Sequence, residues 1–241
     1  MPFFVLSTTV GKAAPRPCRR ALSRYVGGGC MRHNGAHPLA PQPSAMPQTD
    51  STAAASPLLR ALYHRAHAAG PGLGAAALHL GAERTVVAAG PDAGEPAMVL
   101  TLALGHDKTA RDFFRGAVPT PLELETAIAA VEDEVHAAHR RYRACMPEGP
   151  AATPLAADPG LHEVATLAGM APGPWRVLPL DAMERLFNRL AAVSEGRPAA
   201  HEGLPQSPAF AARLLVLREL MHHMPFAAIV LVPQADLPGL G

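Results

Sequence analysis

The stretch VPTPLELETAIAAVEDEVHAAHRRYRAC, residues 118–145, constrains the fold more than any other. Thr120 stands as a helix N-cap, Pro121 takes the first helical position, and Glu123 completes a capping box. Leu124, Ile128, Val131 and Val135 recur at helical spacing and form one apolar stripe. Acids crowd the front half, and Arg140, Arg141 and Arg143 stand at the end, which suits the helix dipole. A helix apolar along one stripe has to bury that stripe against another layer.

The runs before it supply that layer. GAAALHLGAERTVVAAG reads as two short apolar strands around Gly81, and Ala97 to Leu104 as a third. HDKTARDFFRGA reads as a short helix ending at Gly116. Ahead of the strands, SPLLRALYHRAHAAG has Ser56 as N-cap, Pro57 behind it and Gly70 as a stop. After the long helix, MPEGPAATPLAADPG reads as a loop and LHEVATLAGM as a short helix. LDAMERLFNRLAAVSEG is amphipathic, with Met183, Leu186, Phe187, Leu190 and Val193 on one side and Asp181 as its expected N-cap. FAARLLVLRELMHHM is a further helix, Pro225 breaks it, and AAIVLV follows as a buried strand. The order is helix, three strands, four or five helices, last strand, which is α/β. The last strand is expected to join the sheet in parallel through the helical crossover.

Two regimes divide the chain. Residues 1–49 contain no Asp or Glu but carry Lys12, Arg16, Arg19, Arg20, Arg24 and Arg32. A Pro/Ala/Ser stretch without apolar period follows, so residues 1–55 read as a disordered tail before a folded domain at 56–241. A start codon placed too early, with Met31 or Met46 as the true start, is the competing explanation of that tail. The 26 prolines, 21 glycines and 5% aromatics, with much of the 49% hydrophobic content being alanine, point to a folded part smaller than the whole. A net charge of +1 gives no general argument for nucleic acid or an anionic surface, and the tail lacks interleaved aromatics apart from Tyr25. Cys18, Cys30 and Cys145 have no metal-ligand spacing and read as reduced thiols of a cytoplasmic protein. No apolar run reaches the roughly 18 residues that a membrane helix needs.

Residues from about Gly74 onward resemble, in order and spacing, the second half of the exopolyphosphatase and guanosine pentaphosphate phosphohydrolase core. That core belongs to the actin, sugar-kinase and heat-shock ATPase superfamily. The resemblance rests on LALGHDK at 102–108, on VPTPLELETAIAAVEDEV at 118–135, and on the later series MERLFNRLAAVSEGRP, EGLPQS, LLVLRELM, FAAIVLV and DLPGLG. It implies a single ribonuclease-H-like domain with a short mixed sheet and helices packed on it. It also implies a phosphate-binding turn at LHLGAERTVV, with Gly81, Arg84, Thr85 and Lys108 as the phosphate-side residues.

That turn departs from the family pattern of an aspartate, a glycine triplet, Ser or Thr, and Glu. His79 stands at the aspartate position, Ala82 and Glu83 replace glycines, Arg84 replaces the serine, and Val86 replaces the closing glutamate. A second glycine-rich turn reduces to Gly160 and Thr166, and the first half of the core, with its catalytic glutamate, has no counterpart. A phosphoanhydride hydrolase needs backbone amides around the phosphate, a cation, and a carboxylate that aligns water. A glutamate at the approach repels the anion, so LHLGAERTVV reads first as a plain hairpin and catalytic residues are expected to be absent. The expected function is an exopolyphosphatase-like protein with a degenerate site and a structural or regulatory role. The alternative is a hydrolase completed by a partner subunit or an identical copy, with magnesium as its cofactor.

Glu132, His136 and His139 lie at i, i+4 and i+7, so one helix face could hold a metal. A solvated polar face is the expected reading, with no resident metal. His222 and His223 point to different sides of the last helix, His64 and His67 make a weak exposed pair, and Trp175 is expected as a loop anchor in the core.

Overall fold

The structure, a computed structural model, describes residues 56–70, 74–146 and 152–237. The tail at 1–55 lies outside these residues, as do Cys18, Cys30 and Tyr25. Helix α1 (Pro57–Ala69) leads into strands β1 (Ala75–Leu80), β2 (Thr85–Gly90) and β3 (Met98–Leu102). Helices α2 (His106–Phe113) and α3 (Pro121–Cys145) follow, then β4 (Leu155–Ala156) and α4 (Pro159–Leu167). The chain continues through β5 (Arg176–Pro179), α5 (Leu180–Ser194), α6 (Ala199–Glu202), α7 (Pro208–His223) and β6 (Ala228–Leu231).

Among the described residues these strands form one six-stranded sheet in the order β3-β2-β1-β4-β6-β5. β1, β2 and β3 are a meander of antiparallel neighbours, with Leu80 facing Thr85 across the first turn. β4 pairs in parallel with β1 on one side and β6 on the other, and β5 closes the far edge antiparallel to β6. The expected α/β fold with a short mixed sheet is therefore observed. The expected parallel entry of the last strand is observed too, with β4 as its partner.

Alternation along the strands sorts the core into two layers. Leu78 and Leu80 of β1, Val87 of β2, Leu100 of β3 and Ile229 of β6 face the layer of α2, α3, α4, α5 and α7. Ala75, Ala77, Ala88, Leu155 and Val232 face the other side, where α1 supplies Leu59, Leu62 and Tyr63. Helix α7 is wrapped by neighbours: ten of its residues are buried, from Phe210 to Met221.

The local signals act as read. The Ser56 hydroxyl accepts from Leu59 N, and Thr120 and Glu123 make both bonds of the capping box. Leu124, Val131 and Val135 are buried on α3, and the five apolar residues expected on α5 are all buried.

Some expectations are corrected. The segment read as the loop 146–160 contains β4, and APGPWRVLPL contains β5. Asp181 does not cap α5: Pro179 holds that position, and Asp181 pairs with Arg185 at 2.8 Å, one turn on. Trp175 is not a core anchor. It is 41% exposed, with the Arg65 guanidinium 5.0 Å from its ring centre. With Val177, Val230, Leu155 and Ala66 it lines an apolar cavity of about 340 Å³ on the α1 side of the sheet.

Candidate functional site

In open α/β sheets, ligands bind outside the carboxyl ends of the strands. Here that edge holds the turn after β1, the start of α2 and the start of α4. The turn at 81–84 closes on itself, since Gly81 N donates to Arg84 O at 3.0 Å. Its carbonyls then face the N-terminus of α2. Gly81 O accepts from His106 N at 3.1 Å, and Ala82 O accepts from Asp107 N at 2.9 Å and Lys108 N at 3.0 Å. A helix N-terminus is where an anion would be held, because its first amides lack internal partners. In this chain the preceding hairpin satisfies them.

Gly105 makes the junction possible. A Cβ there would lie 2.2 Å from Ala82 O and 2.4 Å from the Glu83 carbonyl carbon, so only a glycine lets the turn seat on the helix. Its φ of −137° is ordinary extended backbone, so the requirement is one of space.

The charges at this edge are paired off. Both Glu83 oxygens accept from Arg111 at 2.8 Å, and this guanidinium holds the Glu83 carboxyl below its usual range. Lys108 pairs with Asp112 one turn along α2. Beneath them, Lys108, Thr109, Phe113 and Glu134 line a small cavity of about 180 Å³, with Ala103 N donating to Glu134 Oε1 at 3.1 Å.

The sequence-derived residues are distributed as follows. Gly81 is the first residue of the turn, and Arg84, exposed, is its last. Thr85 is fully buried, and its hydroxyl donates to Leu104 O at 2.6 Å, tying β2 to the end of β3. Lys108 meets the turn through its backbone amide while its side chain lies along α2 toward Asp112. At the place of the second glycine turn, Gly160 lies under Arg213, whose Nε would be 2.3 Å from a Cβ. Thr166 accepts from Arg176 Nη1 at 3.0 Å, a bond inside the fold.

One carboxylate at this edge was not anticipated. Asp158, just past β4, meets His79 Nδ1 through Oδ1 and accepts from Leu80 N through Oδ2 at 3.3 Å. The bond to Asp158 raises the His79 pKa, with partial burial opposing it. The aspartate that the resemblance expects on β1 is thus absent from that strand, while an aspartate from the next crossover reaches the same histidine. The signal available in the sequence was the Asp158-Pro159 step, typical of a helix start, in a stretch read as loop.

The residues present do not fit a magnesium ion. Magnesium asks for several oxygen donors in octahedral array. Among the described residues, the carboxylates near the turn edge are Glu83, Asp107, Asp112 and Asp158, and each already meets a cationic or imidazole partner.

Fold and site together define a mixed α/β fold whose β1–β2 turn is packed against the following helix. No family model matches the sequence, and no curated protein matches it. Solved structures do share its fold. The Aquifex aeolicus PPX-GPPA enzyme superposes with a TM-score of 0.56 at 15% identity, over 72% of this chain and 58% of that one. An exopolyphosphatase from Cytophaga hutchinsonii gives a TM-score of 0.53 at 11% identity, over 73% of this chain and 59% of that one. An exopolyphosphatase-like protein gives 0.51 at 13% identity, over 68% and 57%. The chain therefore has an exopolyphosphatase-like fold and spans a little under three fifths of the length of these structures, consistent with the C-terminal half of their core.

Proposed function

We propose that this chain is a non-catalytic, exopolyphosphatase-like domain with a structural or regulatory role in the cytoplasm. One observation carries the reading: the carbonyls of Gly81 and Ala82 occupy the amides of α2 that would otherwise face an anion. The ion pair of Glu83 with Arg111 supports it, because it spends a cation of this edge on an internal carboxylate. The partner in this reading is a second copy or a separate subunit standing where the unmatched part of the solved structures lies.

The competing reading is a phosphoanhydride hydrolase, acting on polyphosphate or guanosine pentaphosphate with magnesium and completed by such a partner. The His79–Asp158 pair at the carboxyl end of β1 and β4 favours it, since an imidazole held by a carboxylate can accept a proton from water. The test is phosphate release from both substrates with magnesium, by the full chain alone. The expected result is no release above the enzyme-free rate. Turnover that His79→Asn or Lys108→Ala abolishes would establish the hydrolase instead.

A further inference from the structure

The helical face of the sheet brings together a cluster remote in sequence. Glu132 and His136 stand one turn apart on α3, and His223 is the last residue of α7. The ligand atoms of the three lie within 4.8 Å of one another. The His136 and His223 rings are 4.3 Å apart, centre to centre, and meet edge to face. His223 Nε2 lies 3.4 Å from Glu132 Oε1 and 3.3 Å from Glu219 Oε2. Glu219, one turn back on α7, is 2% exposed and is also held by Arg218.

These spacings favour an ion over a simple salt bridge. Charge-assisted hydrogen bonds are about 2.7–2.9 Å long, and both carboxylate oxygens stand farther off than that. Two ligands of one tetrahedral zinc at about 2.0–2.2 Å lie roughly 3.4 Å apart, which is the separation seen. A shared cation draws a nitrogen from each ring and an oxygen from Glu132. His139, the third residue of the helical spacing, lies near the group but is not among the converging donors.

We propose that Glu132, His136 and His223 form a three-ligand binding site for a divalent transition-metal ion, zinc by donor type. Two imidazoles with a carboxylate and no thiolate suit zinc, and equally cobalt(II) as its spectroscopic substitute. Magnesium and calcium prefer oxygen donors alone. Because the donors come from α3 and α7, the ion would pin the end of α7 to the middle of α3. The site is independent of the turn edge, so it stands whether or not the domain hydrolyses phosphate.

The test uses the tag-free full chain, stripped of metal, titrated with cobalt(II) and then zinc. The expected result is one equivalent of cobalt with the visible absorption of a tetrahedral nitrogen and oxygen site, displaced by zinc. Zinc should also raise the unfolding temperature. Glu132→Gln, a surface change that leaves the helix intact, and His136→Ala should each weaken binding about 10-fold or more. His64→Ala with His67→Ala should leave binding unchanged. Saturable binding that survives both Glu132→Gln and His136→Ala overturns the proposal, as does a wild-type chain that binds no cobalt. An intense near-ultraviolet thiolate band overturns it too, since it would place the ion on cysteine.

Discussion

At the scale of single residues, His79 shows how a substitution that breaks a pattern can still be built in. Its imidazole meets Asp158, and Asp158 in turn holds the Leu80 amide, so the pair ties the end of β1 to the start of α4. The His79 pKa is raised above 6.5 by that bond, with burial working against it. A group whose folded pKa is raised stabilises the fold below its unfolded pKa and loses that contribution as the pH climbs through the folded value. The side chain is 38% exposed, so solvent screening holds the effect to no more than about 1 kcal/mol. His79→Asn should therefore lower the urea midpoint at a pH below the ordinary histidine pKa and approach the wild type as the pH rises past the raised folded value. An equal loss at both ends would mean that the ring acts by packing and not by charge. The cluster of Glu132, His136 and His223 makes the companion point about legibility. Glu132 and His136 were visible as a helical pair, but His223 lies on another helix far along the chain, and no local spacing announces it.

Among the elements, the legible ones were those whose sequence carries both a start signal and a sustained period. Helix α3 has its capping box and its stripe, and both are found as written. Strands β4 and β5 escaped because two and four residues are too few to show a period, and β4 follows Pro154 in a stretch rich in turn residues. The sheet's centre thus rests on its least readable member. The junction of the first hairpin with α2 was half legible: non-glycine residues at Ala82 and Glu83 were plain, but not that the turn would cap the helix through its carbonyls. That contact depends on Gly105. Gly105→Ala puts a methyl group into backbone that no rotamer change can relieve, and such overpacking costs about 1–3 kcal/mol. Gly94→Ala, where a Cβ meets nothing within 4 Å, should change stability by less than about 0.5 kcal/mol. Chemical denaturation of both variants reads the difference. A Gly105→Ala protein as stable as the wild type would show that the turn does not seat on α2.

For the whole molecule, the question is whether two layers on opposite faces of the sheet behave as one cooperative unit. The helical layer is centred on α7, and the opposite layer is α1 with the groove beside Trp175. Between them β4 offers two residues, with Ala77 opposite Leu155 on one side and Val230 and Leu231 opposite Leu155 and Ala156 on the other. Side chains alternate along the longer strands, so a displaced core residue on one face moves backbone that the other face packs against. Leu217 lies on α7 at 0% exposure, deep in the helical layer. Its truncation to alanine removes buried methyl groups and leaves a cavity, at about 2–5 kcal/mol. Trp175 is the chain's single tryptophan and lies against Arg65 of α1, so its fluorescence reports the far layer. If the sheet couples the layers, Leu217→Ala should shift the tryptophan transition and the far-ultraviolet circular dichroism transition by the same amount. A tryptophan transition that held its wild-type midpoint while the helical signal moved would divide the domain at β4 into two units of independent stability.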